Sequence, residues 1–169
     1  MTSANENLLD WLRDAHAMEM QAETMLDTTA SRLENYPQLR ARLQAHLEET
    51  REQARLVKTC IERLGGDTSG IKDMAAKATA TAQGLSGMFV TDEVVKAAMA
   101  SYTFEHMEIA AYRALIAAAE TVGDLETRRV CEIILPQEEA MAAWLAEQLP
   151  IVTREFLERD EMPDTTAKH

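Results

Sequence analysis

A chain of 169 residues, 46% of them hydrophobic, is long enough to bury a sizeable core and too apolar to be read as disordered. Its net charge of −12, with no cluster of Lys and Arg, excludes duplex nucleic acid and anionic membrane surfaces as natural partners. No apolar run approaches the roughly 20 residues that span a bilayer, and the charged start "MTSANENLLDWLRD" does not read as a signal peptide.

In chain order, a first helix is expected from about Ala4–Glu6 to Glu34, with Thr2 or Ser3 as its cap. Pro37 opens a second helix, which runs over about 38–64 and stops at Gly65 and Gly66. The next stretch, "DTSGIKDMAAKATATAQGLSGMFVTDE", has weak periodicity and reads as a crossover holding one short helix over 72–83. A third helix, capped by Thr91 or Asp92, ends at Gly123. A fourth runs from Asp124 to about Leu149; Pro136 should kink it and Pro150 should end it. One more short helix is expected in "IVTREFLERD". Residues 1–160 then form one domain, and 161–169 a flexible tail.

Short links make helices one and two, and three and four, antiparallel neighbours, while the long crossover lets three run parallel to two. The expected fold is therefore all-α: a ferritin-like four-helix bundle with one long crossover, plus the short C-terminal helix. Nowhere do β-branched residues alternate over a strand length. Cys60 and Cys131 lie far apart in apolar helical contexts, as buried free thiols would in a reducing cytoplasm, the expected location.

Each core-facing stripe, traced at steps of three and four, contains a carboxylate. Helix one reads Leu8, Leu12, Ala15, Glu19, Ala22, Leu26; helix two reads Leu39, Leu43, His46, Glu49 or Thr50, Gln53. Helix three reads Val94, Ala98, Ser101 or Tyr102, Glu105, Glu108, Tyr112; helix four reads Val130, Ile134, Glu138, Met141, Leu145. Glu19 and Glu49 lie equally far from the first turn, and Glu108 and Glu138 equally far from Gly123, so each pair shares a level. "AMEMQAETML" (Ala17–Leu26) also echoes "HMEIAAYRAL" (His106–Leu115), as in a duplicated hairpin.

Buried carboxylates that face one another cost several kcal/mol each, or hold a proton, unless a cation joins them. Two divalent ions, iron first and manganese second, would balance four glutamates, and oxygen donors with one imidazole suit those metals. Candidate ligands are Glu19, Glu49, Glu108 and Glu138, with His46 and Glu105 beside them, and His16 as an outer group. Di-metal bundles commonly use Glu-x-x-His. This chain has the reverse, His46-x-x-Glu49, and Glu105-x-x-Glu108, so the site is expected to be oxygen-rich and asymmetric.

"HLEET" (His46–Thr50), "EHMEIAAY" (Glu105–Tyr112) and the hairpin layout resemble the YciF-like family of bacterial stress-associated ferritin-like proteins, over about residues 8–149. That resemblance implies a rubrerythrin-like bundle, a homodimer and a dinuclear metal centre, but no defined activity. Two functions follow as expectations. One is a di-iron oxidase or peroxidase in which Glu49 and Glu138 bridge the metals and Glu19 and Glu108 are terminal ligands. The other is a structural or interaction protein on the same scaffold, with an unidentified partner and little or no metal.

Overall fold

A computed structural model describes residues 3–66, 94–163 and 165–167. They form four helices: α1 (Ala4–Arg32), α2 (Pro37–Arg63), α3 (Val94–Val122) and α4 (Leu125–Asp160). The expected short helix over 72–83 and the caps Thr91 and Asp92 lie outside the described residues. Two antiparallel hairpins, α1/α2 and α3/α4, pack side by side; α1 also touches α3, and α2 touches α4. The α2–α4 direction is fixed by two bonds: Gln53 donates to Gln137, and Arg63, further along α2, donates to Asp124, at the start of α4. Those helices are antiparallel, so α2 and α3 run parallel, as a single long crossover requires.

Local chemistry sets the ends. Ser3 and Glu6 form a reciprocal capping box at the start of α1: the Glu6 N–H donates to Ser3 Oγ, and the Ser3 N–H donates to Glu6 Oε2. Pro37 opens α2, where its missing N–H costs no hydrogen bond. Gly123 turns α3 into α4 with φ of +76°, a conformation that strains any residue with a Cβ. Asp124 then caps α4 by accepting from the Thr127 N–H.

The fourth helix corrects the expectation. It continues through both Pro136 and Pro150, so the separate C-terminal helix is simply its last turns. An interior proline costs about 3 kcal/mol because it removes one hydrogen bond and crowds the preceding turn. Burial offsets that cost here. Val152 is buried and Phe156 packs beside it, in a cluster with Leu33, Tyr36, Leu39 and Leu43 over the α1–α2 turn. The chain after α4 returns to the same place: the Tyr36 hydroxyl donates to the Ala167 carbonyl at 2.6 Å.

The core divides along the bundle axis. At one end Leu8, Leu12, Ile61, Leu115, Ala119, Cys131 and Ile134 pack together. At the other are Leu26, Leu33, Leu43, Val94, Leu145 and Val152. Each fully buried Leu or Ile contributes about 1.5–3 kcal/mol. Between the two apolar ends lies a polar layer.

Candidate metal centre

Each helix brings polar side chains into that layer at helical spacing. α1 supplies Glu19; α2 supplies His46, Thr50 and Gln53; α3 supplies Ser101, Glu105, Glu108 and Tyr112; α4 supplies Glu138. None is more than 1% exposed. Steps of three and four keep one face of each helix inward, so one stripe carries leucines at its ends and glutamates at its centre.

His46 is the hub. Its Nε2 lies 3.2 Å from Glu105 Oε2 and 3.4 Å from Glu138 Oε2, and its Nδ1 lies 2.7 Å from Glu49 Oε2. Burial disfavours the imidazolium, but Glu105 and Glu138 outweigh it and push the histidine up to about 10. The Tyr112 hydroxyl donates to Glu19 Oε1 across the α1–α3 interface. Burial first, and the Glu19 carboxylate second, push Tyr112 well above the usual tyrosine range.

Four carboxylates, Glu19, Glu105, Glu108 and Glu138, therefore share one buried layer with one imidazole. Glu108 is pushed well above the carboxylate range by burial and then by Glu19, Glu138 and Glu105. Glu19 is raised by burial and by Glu138. Burial raises Glu105 to about 7, although His46 pulls it down. Among the described residues Glu19 Oε2, Glu108 Oε1 and Glu138 Oε1 have no hydrogen-bond partner, and Glu105 Oε2 and Glu138 Oε2 meet only the His46 ring. Unsatisfied buried acceptors cost about 1–3 kcal/mol each, and more when charged. Such a layer must take up protons or a cation.

A cation fits. His46, Glu105 and Glu138 each offer one ligand atom, all within 4.8 Å of one another. Hard oxygens with a single imidazole are the donor set of iron and manganese. Glu19 and Glu108, each with an unpartnered oxygen, share the layer with that trio without belonging to it.

Glu49 departs from expectation. Its side chain is 36% exposed and accepts from Arg42 Nη1 at 3.3 Å as well as contacting His46. Partial burial raises its pKa, but His46 and Arg42 outweigh that and hold it below the usual range. Thr50 takes the inward position instead. Of the six candidate ligands, the structure gathers Glu19, Glu105, Glu108, Glu138 and His46 in the layer and leaves Glu49 at its edge. Gln137, hydrogen-bonded to Gln53 at 2.9 Å, was missed because it stands beside the α4 stripe rather than on it. His106 is exposed and stacks edge-on against Tyr102, away from the layer. Among the described residues no helix is long and apolar enough to cross a membrane.

Known proteins share this frame. A structure from Xanthomonas campestris pv. campestris is 42% identical, covers 95% of this chain and all of its own, and superposes with a TM-score of 0.79. A second, "YcfI, a putative structural protein from Rhodopseudomonas palustris", is 29% identical over 85% of this chain and 93% of its own, with a TM-score of 0.65. Residues 3–158 match the family described as Domain of unknown function (DUF892), and the chain belongs to that family.

Proposed function

We propose that the polar layer holds two divalent metal ions, iron or alternatively manganese, in a cytoplasmic, homodimeric, stress-associated protein of ferritin-like type. The observation that carries this reading is the meeting of four fully buried carboxylates and one imidazole in mid-bundle, with an oxygen each of Glu19, Glu108 and Glu138 left unpartnered. His46, Glu105 and Glu138 would hold one ion, and Glu19 and Glu108 would hold the second with Glu138. Two divalent charges balance four carboxylates and remove the repulsion that otherwise keeps Glu19 and Glu108 protonated. Bound iron supplies electrons for the reduction of dioxygen or peroxide.

The chain's own groups set the conditions. Glu49 accepts from His46 Nδ1 and so directs Nε2 inward, as outer carboxylates do for metal-binding histidines. Tyr112 orients Glu19 through its hydroxyl. The apolar clusters above and below keep bulk water away. The test is peroxide consumption by iron-loaded protein beside Glu138→Ala. Turnover in the wild type and its loss in the variant support the reading; an inert, fully iron-loaded wild type contradicts the oxidant chemistry.

One observation favours the second reading, a structural protein on this scaffold. Protonated His46 is an internal cation paired with Glu105 and Glu138, so the layer is partly neutralised without metal. The R. palustris relative's description points the same way. Under that reading the layer fills with protons, and the purified protein carries no metal.

A further inference from the structure

On the outer face between α1 and α2, beside the polar layer, lies an open groove of about 360 Å³. His16 and Met20 line it from α1, and Arg51, Ala54 and Lys58 from α2. On both helices these residues adjoin the inward ones in sequence: Met20 follows Glu19, Arg51 follows Thr50, and Ala54 follows Gln53. Groove-lining and inward residues thus alternate along both helices, and the side chains beside them at Ala22 and Ala54 are small.

This side of the layer is polar and unsatisfied. His16 Nδ1, Thr50 Oγ1, Gln53 Oε1 and Glu19 Oε2 are all buried without a protein partner. His16 is only 8% exposed, yet it lines the groove with Nδ1 shut off from solvent, so its ring spans from outside to inside. Such unpartnered polar atoms suit water, which needs two to four polar partners when buried. Other seams of the bundle are bridged at the level of the layer. Gln53 bonds Gln137 across α2–α4, Tyr112 bonds Glu19 across α1–α3, and apolar clusters seal both ends. At the mouth each cation is paired, Arg51 with Glu23 and Glu48, Arg55 with Glu52 and Lys58 with Glu62, which leaves little field to draw an ion.

We propose that this α1–α2 groove is the port through which water-sized neutral molecules (water, dioxygen, hydrogen peroxide) reach the polar layer, passing His16, Gln53 and Thr50 to Glu19. The port rests on the layer's geometry and holds whether the layer carries metal or protons.

Deuterium exchange of the Gln53 side-chain amide in metal-free protein, followed by NMR against buried backbone amides of α2, tests it. In the wild type this amide should exchange faster than those neighbours. Ala54→Leu, which fills the floor of the groove, should slow it about tenfold or more, and Met20→Ala, at a half-exposed position on the rim, should speed it. Should Ala54→Leu fail to fold, Met20→Phe replaces it as the blocking variant. A Gln53 amide that exchanges no faster than the buried backbone, or a rate that ignores both variants, means water arrives only when the bundle opens and overturns the port. Failure to find metal in the protein would leave this result untouched.

Discussion

The two hairpins share a sequence pattern yet contribute unequally to the layer. α3 and α4 bring three carboxylates, Glu105, Glu108 and Glu138, whereas α1 and α2 bring Glu19 and the imidazole of His46. Glu19 and Glu108 occupy matching places. Glu49 and Glu138 match in sequence but not in space, because Arg42 holds Glu49 at the edge. One hairpin thus concentrates negative charge, and the other supplies the group that answers it. The two halves share a helical frame and differ in the chemistry they bring to its centre.

The comparison breaks first at the metal. Glu138→Ala should abolish binding, whereas Glu49→Ala, which removes only the partner of His46 Nδ1, should weaken it by about 10–100-fold. Equal losses measured by metal titration would restore the symmetric site. His46→Ala in metal-free protein leaves Glu105 and Glu138 facing each other without their cation. It should cost about 3–5 kcal/mol in denaturant unfolding. Glu108→Leu works in the opposite sense, because it removes a buried carboxylate from a crowded layer. It should stabilise the metal-free protein by about 1–4 kcal/mol while impairing metal binding; destabilisation would show that Glu108 is held by bonds the layer does not display.

Acidity sharpens the same contrast. In the folded chain Glu105 titrates at about 7 against 4.5, and His46 at about 10 against 6.5. Both folded values lie above the unfolded ones, so the folded state binds more protons. The stability from Glu105 is full below about 4.5 and is lost as pH rises to about 7; that from His46 is lost from about 6.5 to about 10. Melting of chelator-treated protein should therefore fall as pH climbs through neutrality. Metal should oppose this, since ligands bind it deprotonated. The smallest effect belongs to the edge: Arg42→Ala, at a partly exposed pair, should change stability by no more than about 1 kcal/mol.

Much of this was legible in the chain. Pro37, Gly65 and Gly123 mark turns that the structure places there, and stripes at three- and four-residue steps located the polar layer between leucine-rich ends. Two features escaped for physical reasons. Adjacent residues on a helix differ by only 100°, so the stripe could not choose between Glu49 and Thr50; the structure puts Thr50 inward and Glu49 at the edge, where it meets Arg42 two turns away on the same helix. Pro150 reads as a stop on local grounds. What overrides it is the burial of Val152 and Phe156 against Leu33, Tyr36 and Leu39, residues more than a hundred positions away. Orphaned oxygens, the strongest sign of a cation site, are invisible to any sequence pattern.

The most direct test of the central claim is the metal content of protein expressed with iron and manganese and purified without chelator, counted by plasma mass spectrometry beside a Glu105→Ala/Glu138→Ala variant. The account predicts about two ions per chain in the wild type and none in the variant. A metal-free wild type that is folded, with its four carboxylates still buried, would contradict it.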